Sequence, residues 1–260
     1  NDIIYKICED AKLEKPSKIQ FITSEINFDL YKISINDLNL IIKFSLNEFD
    51  SSLKKEYNII ENINKSIIYE PVFYNSFKFG DIIHYSIYLD KNFECIKDFG
   101  IGILSEKKDL FVENYFLLQN SINPETDYKE NILQFINEHS MSFFDKDIIE
   151  SIQESLDIEK LKEIIDSIHS EIFLLFNSEV FNKKEFCHGD LNYNNIFYCY
   201  KTFKFFNLSN AFSGNMYCDL ANLVITSSLS KELEKKIFNL FVKHKNTQSI
   251  ANEWIEYRKC

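Results

Sequence analysis

The sequence predicts an α+β fold with a small, mainly antiparallel β lobe followed by a larger, mainly helical lobe. Strand-like runs of β-branched and aromatic residues, several of which alternate in polarity, dominate the first ninety residues. Amphipathic helical patterns dominate the second half, apart from a return to short strands over 186–212. We therefore expect a β-rich N-terminal lobe over residues 1–90 and a helical C-terminal lobe over residues 91–260, built as one unit and connected near Leu89–Phe93.

Five strand-like runs and one helix make up the predicted first lobe. The runs read KIQFITS, DLYKISI, LNLIIKFSL, SIIYEPVFYN and IIHYSIYL. The helix is predicted in SSLKKEYNIIENIN, where Leu53, Tyr57 and Ile60 fall at helical spacing. Ser51 or Ser52 can cap the first turn of this helix.

The predicted second lobe begins with a long helical pattern. In DKDIIESIQESLDIEKLKEIIDSIHSEIFLLFNSEVF, apolar residues recur every three or four positions, which predicts one or two helices. The short strands of 186–212 follow, and LSKELEKKIFNLFVKH is again helical. The candidate catalytic and metal-binding residues of this lobe lie among the short strands of 186–212.

Composition limits the function classes. The chain has 29 Lys and Arg against 40 Asp and Glu, a formal net charge of −11. Without a basic cluster to release counterions from phosphate backbones, nucleic acid is a poor partner, and so is an anionic membrane. No apolar run approaches the ~18 residues that span a bilayer, and no signal peptide is visible. Six cysteines without metal-site spacing indicate reduced thiols, so we expect a cytoplasmic protein.

The run HGDLNYNN carries the residue types of phosphoryl transfer. It places His188, Asp190 and Asn195 in an H-x-D-x4-N pattern. In a catalytic loop of this kind, the aspartate accepts or orients the proton of the acceptor hydroxyl, and the asparagine supplies an oxygen to magnesium. We interpret His188 and Asp190 as catalytic residues and Asn195 as a metal-side residue.

The same run resembles the motif of the aminoglycoside phosphotransferase and choline kinase superfamily, whose members have a protein-kinase-like fold. The lead-in FCH and the downstream AFSGNMYCDLANL resemble the choline and ethanolamine kinase branch in particular. The resemblance implies a two-lobed kinase architecture that uses ATP, or another NTP, and Mg²⁺. It also implies that Asp219 supports the catalytic loop by hydrogen bonding rather than by touching the substrate.

The resemblance assigns further roles in the first lobe, which would bind the nucleotide. Lys43, near the end of a strand, matches the lysine that contacts the nucleotide phosphates. Glu56, thirteen residues later on the predicted helix, matches the carboxylate partner of that lysine. Ser24 lies near the turn of the hairpin that would cover the nucleotide.

One position departs from the family pattern. In FKFFNLSNAF, Asn207 occupies the place of the aspartate that would bridge magnesium to the phosphates. An amide oxygen can coordinate magnesium but brings no net charge to hold it. Three explanations stay open: a pseudokinase, an active enzyme with a rearranged metal site, or an engineered asparagine. We keep Asn207, with Asn195, as a metal-side residue.

Together these observations favour a small-molecule kinase. We expect ATP- and Mg²⁺-dependent phosphorylation of a hydroxyl on a choline-like amino alcohol, an aminoglycoside or a sugar, and the acidic balance tilts this towards a cationic acceptor. The alternative is a catalytically impaired pseudokinase that serves as a nucleotide-binding, metabolite-binding or regulatory module.

Overall fold

The structure is a computed structural model that describes residues 2–24, 28–45, 52–63, 65–90, 100–120, 183–247 and 249–260, with short pieces of 159–171. Its first lobe contains helix α1 (Asp2–Asp10), strands β1 (Lys18–Ser24), β2 (Asp29–Ile35) and β3 (Leu38–Ser45), helix α2 (Ser52–Asn62), and strands β4 (Phe73–Phe79) and β5 (Asp81–Leu89). The five strands form one antiparallel sheet in the order β1-β2-β3-β5-β4.

The second lobe is mainly helical. It contains α3 (Gly102–Glu106), α4 (Lys108–Gln119), strands β6 (Glu185–Cys187), β7 (Ile196–Cys199) and β8 (Thr202–Phe205), a 3-10 turn (Leu208–Asn210), strand β9 (Phe212–Gly214), and helices α5 (Tyr217–Thr226), α6 (Lys231–Lys245) and α7 (Ile250–Lys259). Strands β6 and β9 pair with each other, and so do β7 and β8. The pieces described within 159–171 are helical, and the rest of the long helical pattern lies outside the described residues.

The predicted α+β, two-lobed architecture is confirmed. Strands β1, β2, β3 and β5 follow the predicted runs, and α2 and α6 follow the predicted helices. Ser230 caps α6, accepting a hydrogen bond from the Leu233 amide. The residue before α2, where a cap was predicted, is Ser51, which lies outside the described residues. The predicted connection between the lobes near Leu89–Phe93 also lies outside them from residue 91 onward.

The predicted strand SIIYEPVFYN was placed wrongly. The fourth strand begins at Phe73, two residues after Pro71, which cannot donate to a sheet. The preceding residues pair instead with the other lobe, because the Tyr69 amide donates to the Phe205 carbonyl at 2.8 Å and the Phe205 amide donates to the Ile67 carbonyl at 2.9 Å. The strand-like residues Ile67 and Ile68 therefore join the two lobes.

Helix α1 was missed in the sequence. Its buried Ile4, Ile7 and Cys8 lie three and four positions apart and pack against one face of the sheet. A separate and larger core lies mainly in the second lobe, where α4, α5, α6 and the short strands meet, and it includes Ile60, Ile63, Ile67 and Ile68 of the first lobe. None of the helices in the described part of the chain is long and apolar enough to cross a membrane.

A third cluster of buried side chains lies between the lobes. It consists of Phe28, Leu30, Ile41, Tyr69, Tyr88, Phe197 and Phe206. The Tyr88 and Phe206 rings meet edge to face with centroids 5.2 Å apart, and the Phe197 and Phe206 rings meet at 5.7 Å. We call this set the interlobe cluster; it lies directly beside the candidate site.

Candidate active site

The catalytic loop leaves β6 through His188, which is fully buried. Its Nδ1 accepts a hydrogen bond from the Asp190 amide at 3.2 Å, so the ring proton lies on Nε2, which donates to the Phe206 carbonyl at 2.9 Å. His188 therefore ties the loop to the segment that carries Asn207. The burial and the two internal bonds favour positioning over the direct catalytic role expected for this residue.

Gly189 allows the loop to turn against the 3-10 segment. Its φ is +83°, and a Cβ built there would lie 1.9 Å from the carbonyl oxygen of Asn210. Only glycine fits both the backbone conformation and the close approach. The loop therefore packs directly on the backbone that follows Asn207.

Asp219, at the start of α5, holds the loop from behind. Its carboxylate accepts from the His188 amide at 2.6 Å, the Gly189 amide at 2.9 Å and the Tyr115 hydroxyl at 2.8 Å. Burial raises the pKa of the Asp219 carboxyl, and nearby His188 together with these donors opposes that rise. These contacts are of the kind that the resemblance implies for Asp219, a support of the loop, and that role stays a prediction.

Asp190 lies half-buried at the front of the loop. One carboxylate oxygen accepts from Nδ2 of Asn192 at 2.7 Å, and the other accepts from Nδ2 of Asn195 at 2.8 Å. The Asn195 amide nitrogen also donates to the Asp190 carbonyl at 2.9 Å. Asn195 thus uses its nitrogen internally, and its side-chain oxygen is the atom that could coordinate a metal.

Lys43, Glu56 and Asn207 meet on the other side of the cleft. The Lys43 ammonium is fully buried and donates to Oε2 of Glu56 at 2.6 Å and to Oδ1 of Asn207 at 2.7 Å. The other oxygen of Glu56 accepts from the Leu208 amide at 3.2 Å. We call these three side chains the lysine group. The salt bridge between Lys43 on β3 and Glu56 on α2 is therefore connected to the second lobe through Asn207 and the Leu208 amide.

Asn207 has the left-handed backbone conformation, with φ 64° and ψ 61°, which asparagine adopts more readily than most residues. Its Oδ1 accepts a second hydrogen bond, from the Ser209 hydroxyl at 2.7 Å. A carbonyl oxygen has two lone pairs, and the other terminal atom of the amide is a donor. In this arrangement both acceptor positions of Asn207 are used by the protein.

The oxygen atoms that could bind magnesium therefore differ in whether the protein already uses them. Asp190 and the Asn195 oxygen are hard oxygen ligands of the kind that Mg²⁺ prefers, and Mg²⁺ typically needs one or two carboxylates together with substrate phosphates. The Asn195 oxygen fits such an ion, whereas both oxygens of Asp190 already accept asparagine amides. The Asn207 oxygen would have to exchange Lys43 or Ser209 for the metal. In the described part of the chain, no group of three or more His, Cys, Asp or Glu side chains is arranged to hold a metal ion.

Ser24 lies apart from the other predicted site residues. It is exposed at the end of β1, and its hydroxyl donates to Oδ1 of Asp29 at 2.6 Å. This bond closes the base of the hairpin between β1 and β2. Among the described contacts it does not join the lysine group, and its role towards a nucleotide stays a prediction.

Three features of the site were missed in the sequence. Asn192 holds one oxygen of Asp190, Ser209 holds the Asn207 oxygen, and the ring of Phe28 lies 4.2 Å from the Lys43 ammonium. The Asn192 side chain is itself set by the Asn194 amide, which donates to its Oδ1 at 2.9 Å. An asparagine or serine in a turn was the available signal, but nothing in the sequence marks Phe28.

Solved structures share the architecture. Choline kinase LicA from Streptococcus pneumoniae superposes with a TM-score of 0.69 at 13% identity, covering 99% of this chain and 90% of that one. A mutant aminoglycoside 2'-phosphotransferase-IIIa in its GDP complex gives 0.65 at 13% identity, with 100% and 86% covered. An ethanolamine kinase from Plasmodium vivax gives 0.60 at 16% identity, with 96% and 74% covered. These similarities confirm the protein-kinase-like fold.

The family follows from the sequence itself. No curated protein sequence matches the chain. Residues 103–247, which include the catalytic loop, Asn207 and Asp219, match the sequence pattern of the ecdysteroid kinase-like family. This match and the solved structures confirm the expected membership of the aminoglycoside phosphotransferase and choline kinase superfamily. The chain belongs to the ecdysteroid kinase-like family.

Proposed function

We propose that the protein is a phosphotransferase that moves a phosphoryl group from ATP, or another NTP, to a hydroxyl of a small molecule. The observation that carries the proposal is the catalytic loop, in which Asp219 fixes the backbone and two asparagine amides aim the Asp190 carboxylate. Such positioning is most of what an enzyme contributes to phosphoryl transfer.

Asp190 would accept the proton of the acceptor hydroxyl while the oxygen of that hydroxyl forms a bond to the γ-phosphorus. At the same time, the bond from the γ-phosphorus to the bridging oxygen of the nucleotide breaks. Lys43 would bind the nucleotide phosphates, and Glu56 would orient Lys43. Asn195, and Asn207 if its oxygen exchanges Lys43 or Ser209 for the ion, would hold Mg²⁺ together with the phosphates, and the ion would neutralise charge on them.

A cationic acceptor suits this chain best among the small molecules considered. The net charge of −11 favours a cation by long-range attraction. Choline kinase, ethanolamine kinase and the aminoglycoside enzyme are each named for a substrate that carries a cationic nitrogen. We therefore rank amino alcohols and aminoglycosides ahead of neutral sugars as acceptors for this chain.

A second candidate is a catalytically impaired kinase fold that binds a nucleotide or metabolite without turnover. Asn207 favours it, because the single side-chain oxygen of this residue already serves Lys43 and Ser209. An aspartate would offer a second oxygen and a negative charge to the metal. The two candidates therefore differ in what Asn207 does to magnesium affinity.

The Asn207→Asp variant separates the two candidates. We expect ADP to bind about tenfold more tightly with Mg²⁺ than with EDTA in the variant, with a smaller ratio in the parent chain, because a carboxylate–metal contact contributes roughly 1.4 kcal/mol or more. Calorimetric ADP binding measures this, and turnover is assayed on amino alcohols, aminoglycosides and sugars. Asn210→Asp is the matched control, since it adds the same charge at an exposed site nearby.

Turnover by the parent chain supports the enzyme. Turnover only after Asn207→Asp supports the impaired kinase. If neither protein binds ADP at millimolar concentration, with or without Mg²⁺, the phosphotransferase and the nucleotide-binding form of the impaired kinase both fail.

A further inference from the structure

We propose that Tyr115 is a positioning residue: its hydroxyl keeps the Asp219 carboxyl charged, and the charged carboxyl fixes the backbone of the catalytic loop. This inference rests on the proposed function, because the loop serves catalysis through Asp190. The hydrogen bonds themselves belong to the protein without ligands, so they can be tested separately from turnover.

Three hydrogen-bond donors bind the Asp219 carboxylate. Two are backbone amides of the loop, from His188 to Oδ2 at 2.6 Å and from Gly189 to Oδ1 at 2.9 Å. The third is the Tyr115 hydroxyl, which shares Oδ2 at 2.8 Å. Tyr115 is the donor that comes from outside the loop, and helix α4 supplies it.

The charge of Asp219 matters because both loop amides need a strong acceptor. Hydrogen bonds to an ionised acceptor are roughly twice as strong as bonds between neutral groups. Protonation would weaken both amide bonds and would place an O–H donor among N–H donors. Burial raises the pKa of the Asp219 carboxyl and so favours this protonation, whereas the Tyr115 hydroxyl is one of the groups that oppose it.

The Tyr115 ring is fixed independently of its hydroxyl. The side chain is fully buried, and its ring stacks on Phe241 with centroids 5.0 Å apart and meets Phe205 edge to face at 6.2 Å. Burial and the neighbouring Asp219 carboxylate raise the pKa of Tyr115 well above its ordinary value, so the hydroxyl stays a donor. Tyr115→Phe therefore keeps the packing and removes the donor.

Other titratable side chains lie near this pair. They are Glu185 and Cys187 on β6, His188 in the loop and Cys218 on α5. All four are present in both the parent chain and Tyr115→Phe, so their own titration cancels when the two proteins are compared. The titration of Asp219 is what the substitution changes.

The inference predicts that the cost of Tyr115→Phe depends on pH. The pKa of Asp219 in the folded protein lies above its ordinary value, because the carboxyl is buried. Above that folded pKa, the substitution removes a bond to a charged group; below it, the lost bond is to a neutral group and contributes less. The cost is therefore full at high pH and shrinks as the pH falls through the folded pKa. A tyrosine that served packing alone would show the same cost at every pH.

Urea unfolding of the parent chain and Tyr115→Phe measures this cost. We expect the unfolding equilibrium constant to rise roughly 10- to 100-fold at about pH 8 and roughly fivefold at about pH 4.5. A change of this size leaves an ordinary domain folded. The same substitution in an Asp219→Asn background is the matched control, and its cost should not vary with pH. Tyr69→Phe takes that place if Asp219→Asn does not fold, since the Tyr69 hydroxyl donates to the neutral Leu89 carbonyl.

Amide hydrogen exchange at His188 and Gly189 reports on the loop itself. We expect these two amides to exchange about tenfold faster in Tyr115→Phe, beyond any change in β7 and β8. Tyr217→Phe is the matched control, because it removes an equally buried hydroxyl that donates to the Glu253 carboxylate at 2.7 Å. In that control the loop amides should change no more than β7 and β8.

A cost that is the same at every pH, or loop amides that behave as in Tyr217→Phe, would overturn the role of Tyr115. If the parent chain phosphorylates an acceptor, Tyr115→Phe should lower kcat roughly tenfold with little change in KM, and an unchanged kcat would also overturn it. A parent chain without turnover, but with both structural results as expected, supports Tyr115 as the support of the loop and counts against the phosphotransferase.

Discussion

Asp219 and Asn207 are both buried polar side chains, 1% and 2% exposed, and both serve the catalytic cleft. Asp219 has kept a carboxylate, which three N–H and O–H donors surround. Asn207 is an amide whose oxygen faces the ammonium of Lys43. Behind the catalytic loop, the buried Asp219 carboxylate is surrounded by neutral hydrogen-bond donors. In the lysine group, the Lys43 ammonium contacts the Glu56 carboxylate and the Asn207 amide.

The difference concerns charge balance. Lys43 and Glu56 sum to zero, and Asn207 adds no charge, so the lysine group is electrically neutral without any bound ion. With aspartate at 207 it would carry a net negative charge, which is costly in a buried site unless a cation binds. The comparison teaches that the loop side of the cleft places a buried carboxylate among N–H and O–H donors, whereas the charges of the lysine group cancel among its own side chains.

The largest effect is expected at the loop. Gly189→Ala would combine a positive φ with a Cβ 1.9 Å from the Asn210 oxygen, so we expect a loss of about 4 kcal/mol in unfolding free energy. Gly80→Ala is the matched control, because Gly80 has φ +78° with no atom within 4 Å of the added Cβ. The control should lose about 1 kcal/mol. Equal losses in chemical denaturation would mean that the loop does not pack on the 3-10 segment.

A somewhat smaller effect is expected in the lysine group. Lys43→Met should cost about 3 kcal/mol, because Glu56 stays buried without its cation. The double variant Lys43→Met with Glu56→Gln should recover part of that loss, since no buried charge remains. Lys236→Met, which breaks an exposed pair with Glu232 on α6, should cost less than about 0.5 kcal/mol in urea unfolding. A Lys43 loss no larger than the Lys236 loss would contradict the buried pair.

The smallest effect concerns the oxygen of Asn207. Ser209→Ala removes one of its two donors and should cost about 1 kcal/mol in thermal unfolding, since Lys43 remains bound. Ser105→Ala, at an exposed position of α3, is the control and should be neutral. If the two variants melt alike, the Ser209 hydroxyl does not hold Asn207, and its oxygen is freer for a metal than we infer.

The fold was predictable where local pattern and structure agree. Runs of β-branched and aromatic residues predicted β1, β2, β3 and β5, and apolar residues at three- to four-residue spacing predicted α2 and α6. The error at 66–75 arose because Ile67 and Ile68 look like strand residues and do pair, but with the backbone of Phe205 in the other lobe. Local sequence cannot say which distant strand receives such a segment.

Site residues that lie close together in the sequence could be predicted, whereas contacts between distant parts of the chain could not. The loop residues lie within eight positions and follow a motif, so they could be named together. The contact between Lys43 and Asn207 spans 164 positions, and the Glu56–Leu208 contact spans 152. No residue pattern marks the contact between the Phe28 ring and the Lys43 ammonium. The roles assigned to these residues in nucleotide and metal binding stay predictions.

The two oxygens of Glu56 have one further consequence. One binds the lysine of the first lobe and the other binds the Leu208 amide of the second, so a single side chain couples the melting of both lobes. The backbone pairing of Tyr69 with Phe205 adds to this coupling. We therefore expect the chain to unfold in one cooperative transition rather than lobe by lobe, and Glu56→Ala to split it into two.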